Sequence, residues 1–243
     1  MITLYGGPTP NARKVAICLE EMGLAWRLHP IDILTGDQLS PEFLALNPNN
    51  KTPVIVDDAP ADGGPPLVLC ESGAILWHLA EQTGRFIPEG VRARAICLQW
   101  LMFQMSGVGP MFGQNAHFSF YARDRHEYSI TRYANEVTRL LRVLDDRLAE
   151  VEHLAGAEYT VADMATYPYV LRQVEARASD YPNLKRWADL IGARPAVVQG
   201  MEVGREHLRR ETIEGGLSGF TDEHRDILFG ARQYARPAPS APG

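Results

Sequence analysis

The hydrophobic periodicity of this chain changes character once, and that change limits what it can fold into. Up to about Phe86 the apolar residues switch between extended and helical spacing, whereas after "FIPEG" they keep helical spacing throughout. Residues 2–5 read as a strand, and 11–22 carry Val15, Cys18, Leu19 and Met22 on one helical face before Gly23 stops the run. Residues 26–33 return to an extended pattern, and "PEFLALNP" gives a short helix ended by Pro48. "TPVIVDD" and "PLVLCE" give two short strands joined by the turn-rich "APADGGPP". An amphipathic helix follows over 72–83, closed by Gly84. The order βαβαββα requires a small four-stranded sheet with helices on both faces.

The second region reads as helices over 92–114, 125–151, 161–174 and 182–191, with a short one from 195 onward. Gly107, Gly109 and Pro110 in "SGVGP" should kink or end the first of these. Thr160 and Asp163 form a capping box, a local structural pair with no catalytic role. In "FTDEHRDILFGARQYAR", Thr221 and Asp222 are caps, Ile227, Leu228 and Phe229 an apolar cluster and Gly230 a stop. A helix that short must dock on something, as a clasp over the first domain or a dimer, or as a lid over a cleft. The last residues, "RPAPSAPG", read as disordered.

Several function classes are excluded early. A net charge of −6 with scattered basic residues gives no footprint for nucleic acid. No apolar run approaches the roughly 18 residues that span a bilayer, and the chain opens on strand-like sequence, so a soluble cytoplasmic protein is expected. Cys18, Cys70 and Cys97 have no CxxC spacing and sit among apolar neighbours, which suits buried free thiols rather than a disulfide or metal site. The histidines offer no pair at ligand spacing, so no metal is expected.

The motifs "TPN", "GDQ", "PEFLALNPNNKTPVIVD", "DGGPP", "ESGAIL", "QWLMFQMSGVGPMFGQNAHF" and "RY" occur in order from Met1 to about Gly200. In this run the chain resembles the glutathione transferase family, and within it the bacterial Nu-class members, whose best-described activity is glutathione-dependent disulfide reduction. The resemblance implies a thioredoxin-like α/β domain over 1–86, an all-helical domain over 92–200, and a C-terminal extension over 201–243. It also implies a cytoplasmic homodimer that binds glutathione as cosubstrate, reduced or disulfide, and passes it to a disulfide or electrophile.

Residue chemistry supplies the site. Glutathione carries a carboxylate and an ammonium side by side, so its receptor needs donors next to an anionic acceptor. Ser72 opens a helix whose free N–H groups and dipole favour a carboxylate, and Glu71 before it suits the ammonium; alone, the pair is also an ordinary helix start. The resemblance makes the Thr52–Pro53 bond cis and gives the Thr52 backbone the cysteinyl part of the ligand, by strand-like pairing. It assigns Gln38 to the glycyl end, although a solvated loop glutamine is the commoner role, and Lys51, equally a plain surface lysine, would neutralise the glycyl carboxylate.

The turn after the first strand holds Thr9 and Asn11, where thioredoxin-like redox proteins hold a cysteine. Neither side chain ionises near neutral pH, so the nucleophile must come with the ligand, and neutral donors would stabilise its thiolate. Ala12 stands where the relatives usually carry glycine. Tyr5 lies within the strand and reads as structural. Arg132 matches a family arginine facing the glutathione site, against the alternative of a surface pair with Glu136 worth about 0.3–0.5 kcal/mol. Phe118 and Tyr121 are candidates for lining the second-substrate cleft. A glutathione-binding regulator or scaffold without turnover, and a glutathione-dependent isomerase or dehalogenase, are the alternative functions.

Overall fold

The computed structural model describes residues 1–207 and 220–234. Its sheet has the order β2-β1-β3-β4, formed by β1 (Ile2–Gly6), β2 (Trp26–Pro30), β3 (Val54–Asp57) and β4 (Leu67–Cys70). β2 lies parallel to β1, whereas β3 runs antiparallel to both β1 and β4. The parallel pair needs a crossover, and α1 (Pro10–Met22) supplies it. Leu4 pairs with Leu28 on one side and Ile55 on the other, and Leu4 and Ile55 are fully buried.

β2 ends at Pro30, short of the extended run expected over 26–33. Pro30 brings no N–H, and Asp32 then turns the chain by accepting the Leu34 N–H through its own side chain. α2 (Pro41–Leu46) and α3 (Ser72–Thr83) form where their patterns place them.

The later region is helical: α4 (Val91–Phe103), α5 (Gly109–Ala116), α6 (Glu127–Glu150), α7 (Val161–Ala176), α8 (Pro182–Gly192), α9 (Pro195–Met201) and α10 (Asp222–Phe229). The interruption expected at "SGVGP" takes the form of a π-helical turn over Gln104–Val108, and a second one spans His117–Tyr121. Pro110 sits in the first turn of α5, where a missing N–H costs little. The Thr160–Asp163 capping box is present, but Asp163 does more than cap. Its carboxylate, fully buried, also accepts the Leu154 N–H and the Trp187 indole N–H, both at 2.9 Å.

α1 is the element on which everything converges. Its residues Ala12 and Lys14 to Leu19 are buried, against the sheet, α3, α7 and α9. Gly200 on α9 meets it at backbone distance, since a Cβ there would lie 2.5 Å from the Ile17 nitrogen. Glu21 at the end of α1 takes a bidentate contact from Arg194, at 2.5 and 2.8 Å. The first helix, and with it the turn at its N-terminus, is therefore clamped by the helical region.

α10 docks on both regions. Arg225 Nε donates to the Tyr121 carbonyl at 2.8 Å, and Phe229 packs edge-on against His117. Past its end, the Gln233 carbonyl accepts from Asn50 Nδ2, and Gln233 Oε1 accepts from Lys51 Nζ at 3.0 Å. The expected disorder of 236–243 falls outside the described residues.

Candidate active site

Strand register gathers most of the predicted residues at one end of the sheet. Tyr5 pairs with Val54 and Val54 with Cys70, so the end of β1, the start of β3 and the end of β4 lie side by side. Thr9 and Asn11 follow the first, Thr52 and Pro53 precede the second, and Glu71 and Ser72 follow the third.

Thr9 is extended, at φ −91° and ψ 151°, and caps α1: its Oγ1 accepts the Ala12 N–H at 3.3 Å. The cap uses a lone pair and leaves the O–H to donate elsewhere. Asn11 is half-buried in the first turn, and its Oδ1 accepts from the Tyr169 hydroxyl at 3.0 Å. Ala12 is fully buried, and Gly6 makes room for it: a Cβ on Gly6 would lie 3.0 Å from the Ala12 methyl.

Glu71 has φ +67°, in the left-handed region that an L-residue enters at a cost of about 1–2 kcal/mol. Its exposed carboxylate caps nothing on α3, while its backbone carbonyl accepts the Ile75 N–H at 2.9 Å and so opens the helix. Ser72 is 3% exposed, and its Oγ accepts from Lys14 Nζ at 3.4 Å. Lys14 is a residue that the sequence reading missed. It is 1% exposed, donates to Gln104 Oε1 at 2.7 Å and lies 4.8 Å from the centre of the Tyr169 ring. Burial pulls its ammonium down to about 7, against the opposing pull of Glu71. The signal was available, since Lys14 falls beside Val15 and Cys18 on the apolar face of α1.

The Thr52–Pro53 peptide is cis, and the Thr52 backbone N–H and C=O find no partner among the described residues. Gln38, expected in a loop, is buried in a 3₁₀ turn after β2. Its Nε2 donates to the Ile33 carbonyl at 3.1 Å, which fixes the amide and leaves buried Oε1 as an acceptor with nothing to accept. Lys51 is exposed and held by Gln233. Arg132 is not drawn in with the others. It lies half-exposed on α6, 3.5 Å from Glu136, whose closer partner is Arg139 at 2.7 Å.

Tyr5 is structural, its ring tilted on His29 at 4.5 Å between centroids. Cys18 and Cys97 are buried, with thiols pushed up by desolvation, while Cys70 on β4 is only half-buried. No group of His, Cys, Asp or Glu among the described residues could hold a metal ion. No helix among them is long and apolar enough to cross a membrane. Two cavities lie away from Thr9, Asn11, Glu71 and Ser72. One of about 430 Å³ lies beside Lys51 and Gln233, and one of about 650 Å³ is lined by Phe118, Tyr121, Arg225 and Phe229.

A four-stranded mixed sheet of thioredoxin-like order, followed by a helical half that clamps its first helix, defines the glutathione transferase fold. Residues 9–82 match the model of the glutathione S-transferase N-terminal domain, and residues 108–195 that of the C-terminal domain. The chain belongs to the glutathione S-transferase family. Among its relatives is the disulfide-bond oxidoreductase YfcG of Escherichia coli K12, 48% identical over 83% of this chain and 94% of that protein. A glutathione transferase family member from Pseudomonas fluorescens, solved with two glutathiones bound, superposes with a TM-score of 0.79 at 44% identity, over 83% of this chain and 92% of that one. A glutathione transferase from Pseudomonas putida, solved with one glutathione disulfide bound per subunit, gives 0.78 at 43% identity, over 83% and 90%.

Proposed function

We propose that this chain is a glutathione-dependent disulfide-bond oxidoreductase that can also transfer glutathione to electrophiles. The observation that carries the reading is the turn after β1. It holds a capping threonine and a pinned asparagine, both neutral donors, at the mouth of a helix N-terminus. Such a site can stabilise and aim a thiolate but cannot be one. The thiol then belongs to glutathione: its thiolate attacks one disulfide sulfur, the displaced sulfur leaves as a thiolate and is protonated, and a second glutathione resolves the mixed disulfide.

The chain's part is to bind and to position. Thr9 and Asn11 donate to the thiolate. Thr52, with Pro53, offers an unpaired backbone edge to the cysteinyl part of the ligand. Glu71 takes the ammonium and Ser72, at the start of α3, the carboxylate of the γ-glutamyl end. Gln38 has a free buried acceptor, which suits an amide N–H of the ligand, and Lys51 suits the glycyl carboxylate. Arg132, held by Glu136 on α6 and outside the gathered cluster, would take part only through a ligand that reaches the helical half. We assign 1–86 as the glutathione-binding domain, 92–200 as the helical domain and 201–243 as an extension.

The working form is a homodimer. Leu98 and Met102 on α4 are 39% and 45% exposed, an apolar face suited to a second copy, and light scattering should return twice the chain mass. The cytoplasm is its setting, where glutathione is kept reduced. Turnover of a small model disulfide with reduced glutathione tests the function. Calorimetric binding of glutathione without turnover would instead make the chain a scaffold or regulator.

A further inference from the structure

Asn11 does not hold its amide in place unaided. The side chain could present either end to a thiolate, and only the Nδ2 end can donate to it. Tyr169 on α7, 158 residues away in the chain, settles which end faces out, because its hydroxyl lies 3.0 Å from Asn11 Oδ1. In the reverse orientation Nδ2 would donate to the phenol oxygen, and the phenol hydrogen would have no acceptor among the described residues, a cost to a hydroxyl largely withdrawn from water.

We infer that Tyr169 is the positioning residue for the thiolate donor: by donating to Asn11 Oδ1 from the helical half, it turns Asn11 Nδ2 toward the reacting sulfur. The inference rests on the proposed role of Asn11. Two neighbouring features support it. Burial pushes the Tyr169 phenol up to about 12, so it remains a donor throughout the range in which a thiol titrates. The Lys14 ammonium lies against the face of the same ring and also donates to Ser72 Oγ, so one buried side chain bridges the Asn11 support and the proposed carboxylate subsite. The arrangement also accounts for the clamp of the helical region on α1. A donor aimed from α7 holds its aim only if α7 and α1 are fixed relative to one another.

The test is a mutant cycle on Tyr169→Phe and Asn11→Ala, read as the pKa of bound glutathione from the ultraviolet absorbance of its thiolate, and as kcat and KM for disulfide reduction. Tyr169→Phe keeps the ring against Lys14 and removes one oxygen, so the fold should hold, and the melting temperature verifies it. The expected result is a bound thiol pKa raised by about one pH unit and kcat lowered about tenfold with KM for glutathione little changed. Asn11→Ala should give at least as large an effect, and adding Tyr169→Phe to it should change nothing more. If Asn11→Ala raises the thiol pKa while Tyr169→Phe leaves it untouched, Tyr169 is a packing residue and the inference falls alone. The same holds if the two effects add in full. A wild-type thiol pKa in Asn11→Ala would overturn the role of Asn11, and the inference with it.

Discussion

Glu71 is the residue whose substitution should move stability and binding in different ways. At φ +67° an L-residue bears about 1–2 kcal/mol of backbone strain that glycine does not. Replacing Glu71 by glycine removes that strain but frees the unfolded chain, which costs about 0.5–1 kcal/mol, so net stability should be unchanged or slightly higher. The side chain is exposed and caps no helix, so the folded state loses little beyond its solvent-screened attraction to the Lys14 ammonium. Binding should behave otherwise. Loss of a charge-assisted hydrogen bond to the ligand ammonium is worth about 1.5–3 kcal/mol, and exposure of Glu71 favours the lower half, so Kd should rise about tenfold to fortyfold. Titration calorimetry with glutathione and thermal unfolding of the free protein measure the two quantities. A variant that unfolds several degrees lower would show that Glu71 serves the fold. A variant with unchanged Kd would remove it from the site.

Asp163→Ala leaves the indole of Trp187 and the Leu154 and Thr160 N–H groups without an acceptor in a fully buried place. The cost should be about 3–5 kcal/mol, seen as a lower urea midpoint with no change in the KM of any refolded enzyme. Lys14 has its folded pKa depressed to about 7 from 10.5. Between those values the unfolded chain keeps a proton that the folded chain has released, so stability rises with pH there, by at most about 1.4 kcal/mol per pH unit. Urea unfolding at pH 7.5 and 9 should show that slope, and Lys14→Met should flatten it. Truncation after Gly219 removes the segment that holds both Tyr121 and Lys51, and it should lower the melting temperature and alter KM for bulky disulfides. If neither moves, the segment is a loose tail.

The element order was legible in the sequence because each strand and helix of the first 86 residues carries its own period and its own stop, Gly23 and Gly84 among them. The helix over 72–83 was located to the residue. The early end of β2 was hidden, because Pro30 and the Asp32 turn act through hydrogen bonds that an apolar pattern over 26–33 does not report. The π-helical turns were seen only as a disturbance, since glycine and proline mark where a helix is weakened and not which hydrogen-bond ladder replaces it. The placement of Thr9, Asn11, Thr52, Glu71 and Ser72 at one end of the sheet was readable because each sits at an element boundary that local pattern reveals. Tyr169, Lys14 and Gln233 were not, because their roles depend on contacts across 58 to 182 residues of chain. The buried lysine on an apolar helix face was the one local hint.

In the mechanism proposed above, the reacting thiol belongs to glutathione and not to the protein. Cys18 and Cys97 are buried with raised thiol pKa values, and Cys70 lies on β4 and not in the turn that holds Thr9 and Asn11. The direct measurement is glutathione-dependent reduction of a model disulfide by a variant with all three cysteines replaced by alanine, its folded fraction verified by thermal unfolding. The expected kcat and KM lie within about twofold of the unmodified enzyme, since no proposed step draws on a protein sulfur. Loss of turnover in the folded variant would contradict it.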